Sequence, residues 1–284
     1  MPRIQFAETD DLIDIRYDNV FKAVFTKDNP NSRGALSKLI SALIDRDVSV
    51  STITANEPPI NNTRERQIRF DIRCKTENGE LISVEMSLNP KPFEPIRLEF
   101  YVGRLFTSQD IRGADRSYDD LKEAYQIPIL AKERFFPDEL FLHTFEYYDP
   151  DHSISLNGKC RIITIELSKL DKVAKKSVNE MSIQESWAVY FQYLTDKSMR
   201  WKINMIIEKE EGIAMASEVL IEISKDEIEQ ARLESELKYE LDTQSNLTYA
   251  KREGRKEGQQ DIIDLLKSGK SPKEIIQEYT QKQS

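Results

Sequence analysis

The chain has 284 residues, a net charge of −9, a charged share of 32% and an apolar share of 39%. This length holds one large domain, or one domain with a helical appendage, and the apolar share supports a real core. The acidity excludes a polyanion binder that works by bulk electrostatics, so a nucleic-acid role needs a local basic patch. The opening MPRIQFAETDD has no apolar signal core, and no apolar run approaches the roughly 18 residues of a membrane span. Cys74 and Cys160 lie far apart, each in an apolar alternating run, and read as buried free thiols. Together these features predict a soluble, cytoplasmic protein. His143 and His152 are the only histidines and there is no CxxC, which argues against structural zinc.

The first predicted helix covers residues 17–25, with Val20, Phe21, Val24 and Phe25 at helical spacing, and an Asn-Pro-Asn-Ser break follows it. A second helix over 32–45 carries Leu36, Leu39, Ile40, Leu43 and Ile44, with Asn31 or Ser32 as its cap. The β-branched run 48–55 reads as a strand, and the prolines and asparagines at 58–62 as a loop.

Residues 67–88, QIRFDIRCKTENGELISVEMSL, form two alternating runs around a turn and predict a β-hairpin. A two-residue turn at Asn78-Gly79 would set every apolar residue opposite a polar one. A three-residue loop, with Gly79 in the left-handed region, instead pairs Thr76 with Glu80, Cys74 with Ile82, Ile72 with Val84 and Phe70 with Met86. This register sets Asp71 directly opposite Glu85. Two facing carboxylates repel, so either Arg69 and Arg73 or a bound cation must offset them.

Pro90, Pro92 and Pro95 break the second run. A helix over 94–111 follows, with Ile96, Phe100, Gly103, Leu105 and Phe106 on its inner face and Arg97, Tyr101, Arg104 and Gln109 on its polar face. Strands are predicted over 125–130, 140–147 and 160–167, which completes a mixed α/β sheet with helices packed on it. Beyond residue 168 strand signals vanish. Segments 184–194, 199–223 and 225–241 carry helical periodicity, with Trp187 and Trp201 as core anchors. The tail predicts two short helices, 258–267 and 272–279, separated by Gly269 and a Ser271-Pro272-Lys273-Glu274 capping box. The domain expectation is therefore 10–167 for the α/β core and 168–284 for a helical C-terminal region.

Asp71 on one strand, Glu85-x-Ser87 on the next, then a helix with Arg97 and Tyr101 resembles the PD-(D/E)XK nuclease superfamily, and within it the Rpn-type recombination-promoting nucleases or transposases. Asp18-x-x-Phe21-Lys22-x-x-Phe25 resembles their opening helix. Phe70-Asp71-Ile72 and Val84-Glu85-Met86 resemble their two catalytic strands. Gly113, Tyr118-x-x-Leu121, Ile127-x-Ile129 and the Lys251–Gly258 run extend the likeness over nearly the whole chain. Each motif is short, and their order is what makes the resemblance specific.

The resemblance implies a restriction-endonuclease-like mixed sheet and metal-dependent endonucleolytic cleavage of DNA. It implies Mg²⁺, with Mn²⁺ as substitute, held by Asp71 and Glu85 with the carbonyl of Met86 as a further ligand. Such an ion stabilises charge on the phosphate and helps deprotonate water. Asp18 is an accessory acid, and Arg97 and Tyr101 are phosphate contacts. Where the family usually has Lys or Gln this chain has Ser87, which is short and uncharged. Lys91 or Arg97 could supply the missing group, Ser87 could hold a water, or the protein could be a degenerate nuclease that binds without cutting. In that last reading the C-terminal helices are the working surface. In either reading self-association through the C-terminal helices is expected to make a homo-oligomer. A third reading is a duplex-DNA binder using the two tail helices. Without the resemblance, Asp71 and Glu85 read as a solvated face neutralised by neighbouring arginines.

Overall fold

The computed structural model describes residues 4–54, 71–88, 90, 93–111, 117–132, 134–225 and 227–281. Helix α1 (Asp18–Thr26) and helix α2 (Pro30–Ile44) precede strands β1 (Val50–Thr54), β2 (Ile72–Thr76) and β3 (Leu81–Ser87). Helix α3 (Glu94–Thr107) leads to β4 (Ala124–Leu130), β5 (Leu142–Phe145), the small ribbon β6 (Tyr148–Asp149) and β7 (Ile154–Ser155), and β8 (Cys160–Glu166). Helices α4 (Ile183–Tyr193), α5 (Arg200–Lys209), α6 (Glu211–Lys225), α7 (Glu227–Lys267) and α8 (Pro272–Gln281) complete the chain.

The main sheet has six strands in the order β1-β2-β3-β4-β8-β5. Strands β3, β4 and β8 run parallel, and the outer pairings are antiparallel. This is the mixed α/β sheet with flanking helices that the sequence implied. All residues of β4, AYQIPIL, are buried, as expected of a central parallel strand covered on both faces.

The hairpin adopts the three-residue register: Ile72 pairs with Val84, Cys74 with Ile82, and the Thr76 N–H donates to the Glu80 carbonyl at 3.0 Å. Gly79 sits at φ +88°, where a side chain would be strained. The predicted Phe70–Met86 pair, Arg69, Lys91 and Gly113 lie outside the described residues.

Side-chain parity sorts the sheet into two faces. Ile72, Cys74, Ile82, Val84, Ile127 and Ile129 are buried on one face. On the other, Leu81, Ala124, Cys160 and Ile162 pack under Val102 and Leu105 of α3. Ser83, Glu85 and Ser87 share this second face, so α3 roofs the strand that carries them.

Several local expectations need correction. Helix α2 is capped by Asn29, whose side chain accepts from the Ser32 N–H at 2.7 Å, with Pro30 at the first helical position. What reads as a break is a helix start, because proline's missing N–H costs nothing there. On α3, Ile96 and Phe100 are exposed at 72% and 55%. The buried line is Leu98, Val102 and Leu105, and Ile96 and Phe100 fall on the opposite side of the helix. Trp187 is a core residue at 1% exposure, but Trp201 is exposed at 61%. Residues 227–241 and 258–267 belong to one helix of 41 residues, which runs through Gly254 and Gly258 and ends before Gly269 at φ +94°. The Ser271–Glu274 capping box forms as predicted.

Two compact units result, Met1–Gln230 and Ala231–Ser284. The first extends past the expected 167/168 boundary because α4 and α6 pack on α1 and α2. Phe25 meets Trp187 at 6.1 Å, Phe21 meets Phe191 at 5.9 Å, and the Gln184 amide donates to the Ala42 carbonyl at 2.8 Å. Both cysteines are free thiols. No helix among the described residues is long and apolar enough to cross a membrane.

Candidate active site

The site is built at the end of the hairpin, where β2 begins and β3 ends. Asp71 precedes β2, and its Oδ2 accepts the backbone N–H of Met86 at 3.0 Å. That bond ties the Asp71 side chain to the strand carrying Glu85. Glu85 is buried at 3% exposure, on the α3 side of the sheet, and its neighbour across the parallel ladder is Pro128.

Two helices complete the charge cluster. From α1, the Lys22 ammonium lies 2.9 Å from Asp18 Oδ2 and 3.5 Å from Asp71 Oδ1. From α3, the Arg97 guanidinium donates to Glu85 Oε1 at 2.5 Å and to Glu94 through Nε at 3.1 Å. The same guanidinium lies 5.0 Å from the centre of the Tyr101 ring. The Lys22 ammonium thus bridges Asp18 and Asp71, and the Arg97 guanidinium bridges Glu85 and Glu94.

The electrostatics follow from this crowding. Burial pushes the Glu85 carboxyl up to about 7, against the pull of Arg97 and with Glu94 and Asp18 adding to the rise. Burial likewise raises Asp71 well above the usual carboxylate range, and the negative charges of Asp18 and Glu85 raise it further. Burial disfavours the Lys22 charge, yet Asp71 and Asp18 hold its ammonium above its ordinary value. Net negative clusters of this kind favour either protons or a dense cation.

Hard carboxylate oxygens suit Mg²⁺ or Mn²⁺. Asp18 Oδ1 is buried and accepts no hydrogen bond among the described residues, which leaves an acceptor oxygen in the cluster free for a cation. The residues present therefore fit a divalent ion. The fit is one of charge and donor type: among the described residues no group of three or more His, Cys, Asp or Glu side chains stands ready to hold a metal ion.

The structure brings Asp18, Asp71, Glu85, Met86, Arg97 and Tyr101 into one region. Ser87 follows Glu85 on the same face of β3, half-buried, and its carbonyl accepts the Ala131 N–H at 2.9 Å. Among the described residues, the cations that touch Asp71 and Glu85 are Lys22 of α1 and Arg97 of α3. Arg73 donates instead to Ser108 Oγ at 2.8 Å, at the far end of α3. The sequence reading missed Lys22 and Glu94 as members of the cluster. Their signal was local: Lys22 is four residues after Asp18, and Glu94 three before Arg97, spacings that pair charges on a helix. His143 and His152 lie outside the cluster and pair with Asp138 and Asp149, both at 2.8 Å.

No curated protein and no solved structure matches the chain significantly. The family model of PD-(D/E)XK nuclease family transposases matches residues 15–250, a span that includes α1, the hairpin, α3 and every residue of the charge cluster. With that match over most of its length, the chain belongs to the PD-(D/E)XK nuclease family transposases.

Proposed function

We propose that the protein is a metal-dependent DNA endonuclease that hydrolyses phosphodiester bonds, with Mg²⁺ as its ion and Mn²⁺ as a substitute. The observation that carries this reading is Asp71, tied at the start of the hairpin to the Met86 N–H, together with buried Glu85 on β3, two carboxyls whose pKa values burial raises, within a nuclease-family frame. Asp71 and Glu85, with the Met86 carbonyl, are the proposed metal ligands, and Asp18 is an accessory acid. A bound divalent ion stabilises charge on the phosphate and makes water a better nucleophile near neutral pH.

The chain's own residues do the rest. The Met86 N–H orients the Asp71 carboxylate. Arg97 pulls against the burial that favours the Glu85 proton and aligns the carboxylate, and its guanidinium is the phosphate contact, with Tyr101 supporting its plane. Ser87 or Lys91 positions water. The test is nicking of supercoiled plasmid with Mg²⁺ or Mn²⁺ by wild type, Asp71→Ala and Glu85→Ala. Both variants should lose more than about 100-fold in rate. Cleavage that survives Asp71→Ala overturns the site assignment.

A second reading has its own observation. Ser87 stands where a lysine would carry charge, and Arg97 already engages Glu85, so a nuclease fold that binds without cutting is also consistent with the site. Calorimetry decides between them: no Mn²⁺ affinity at millimolar concentration favours the binding module. Self-association through the C-terminal helices belongs to both readings, and light scattering on the full chain and on a chain ending at residue 230 tests it.

A further inference from the structure

Lys22 stands between two carboxylates that belong to different elements. Its partner Asp18 is on its own helix and Asp71 is at the start of β2, with N–O distances of 2.9 and 3.5 Å. The Asp71 carboxylate is held by the Met86 N–H. Lys22 is not fixed in this way. It retains 26% side-chain exposure, and its ammonium rides on a flexible four-carbon stem.

The other described cation of the cluster bonds to different carboxylates. Arg97 spans Glu85 and Glu94, both nearly fully buried. Ser87 brings no charge. Lys22 is therefore the one described cation that touches Asp71 and has somewhere else to go. Asp18 Oδ1, buried and without a hydrogen-bond partner among the described residues, is an acceptor that a single ammonium leaves unused.

We infer that Lys22 is a built-in counter-ion of the Asp18–Asp71 pair, which a divalent ion displaces onto the scissile phosphate, where it supplies the positive charge that Ser87 cannot. A divalent ion repels an ammonium a few ångströms away and satisfies the carboxylates better than a monovalent charge does. The displaced ammonium then meets the nearest remaining anion, which is a non-bridging phosphate oxygen. Its part is electrostatic: Lys22 keeps its proton and forms no bond to phosphorus. The inference rests on the nuclease reading above. It also makes metal binding and phosphate binding depend on each other through one side chain.

The test combines calorimetry with Mn²⁺, plasmid nicking and melting with and without Mn²⁺, on wild type, Lys22→Met and Lys22→Arg. Removing the competing charge should tighten Mn²⁺ binding by about tenfold or more. The same change should slow nicking at saturating metal by roughly 100-fold. Metal-free Lys22→Met should melt lower than wild type and recover with Mn²⁺, because the ion replaces the lost counter-charge. Lys22→Arg should keep Mn²⁺ affinity near wild type and retain part of the nicking. A purely structural lysine predicts that affinity and rate fall together. Unchanged or weaker Mn²⁺ binding by Lys22→Met, or wild-type nicking at saturating metal, overturns the inference. Should Lys22→Met fail to fold, Lys22→Gln is judged by the same two readouts. If wild type neither binds Mn²⁺ nor nicks DNA, the nuclease reading itself fails. If Asp71→Ala abolishes both while Lys22→Met behaves as wild type, only the role of Lys22 fails.

Discussion

At the scale of single residues, the site is a problem of compensated burial. Arg97 bonds to both Glu85 and Glu94, which are 3% and 2% exposed. Removing one partner of a buried ion pair leaves an uncompensated charge, which costs about 3 kcal/mol or more. Arg97→Ala is therefore expected to lower the unfolding free energy by about 3 kcal/mol in urea titrations at pH 8, and by less at pH 5, where protons can take the arginine's place. Glu85 gives a second expectation. Its carboxyl titrates near 7 in the fold against an ordinary value of 4.5, so the folded state keeps a proton that the unfolded state releases. This contribution is fully present below pH 4.5 and is lost as pH rises through 7. In EDTA, Glu85→Gln should become progressively more stable than wild type between pH 5 and 8, by up to about 3 kcal/mol. A difference that stays flat with pH would mean that Glu85 is ionised throughout. Alternation alone made Asp71 and Glu85 legible as a facing pair, because β-strand parity is local. Their counter-charges were not legible in the hairpin: Lys22 and Arg97 reach them from helices distant in sequence, and only packing decides which lysine or arginine arrives.

At the scale of elements, local chemistry set where each element begins and ends. Asn29 caps α2 through the Ser32 N–H, with Pro30 following. Asn29→Ala should cost about 1 kcal/mol in thermal unfolding, whereas Asn31→Ala, at the position the sequence pattern favoured, should cost less. The close approach of α2 and α6 depends on two glycines. A Cβ at Gly34 would lie 2.7 Å from the Met215 sulfur, and one at Gly212 would collide with the Lys38 Cβ and press on Trp187. Methionine can yield, whereas a Cβ next to backbone cannot. Gly212→Ala is expected to cost about 2 kcal/mol or more, and Gly34→Ala distinctly less, when both are measured by denaturant titration. Periodicity located α3 correctly but chose its inner face wrongly at Ile96 and Phe100. An apolar residue on a short helix does not announce which side the sheet will occupy.

At the scale of the whole molecule, the helices after β8 are part of the first compact unit. Val219, Leu220 and Ile223 of α6 and Trp187 and Phe191 of α4 are buried in it, together with Phe21, Phe25, Leu36 and Leu39 of α1 and α2. A chain ending at residue 167 would expose that apolar surface and should aggregate. A chain ending at residue 230 should fold with a cooperative melt. Circular dichroism and light scattering on the two truncations check this, and a soluble, cooperatively melting 1–167 chain would contradict it. Because α1 carries Asp18 and Lys22, the same helical layer that completes the core also anchors one side of the candidate site.

The sequence by itself determined what is local. It set the hairpin register through a single glycine turn and strand alternation, the central strand through its unbroken apolar run, the capping box of α8, and the order of motifs that carries family membership. Tertiary structure decided what depends on distant segments meeting. It set which face of α3 is buried, which helices share a core with α1 and α2, and that Lys22 and Arg97 meet the acidic side chains of the site. The division is physical. Turn geometry and side-chain parity are fixed by neighbours along the chain, whereas charge compensation and burial are fixed by whichever elements close packing brings together.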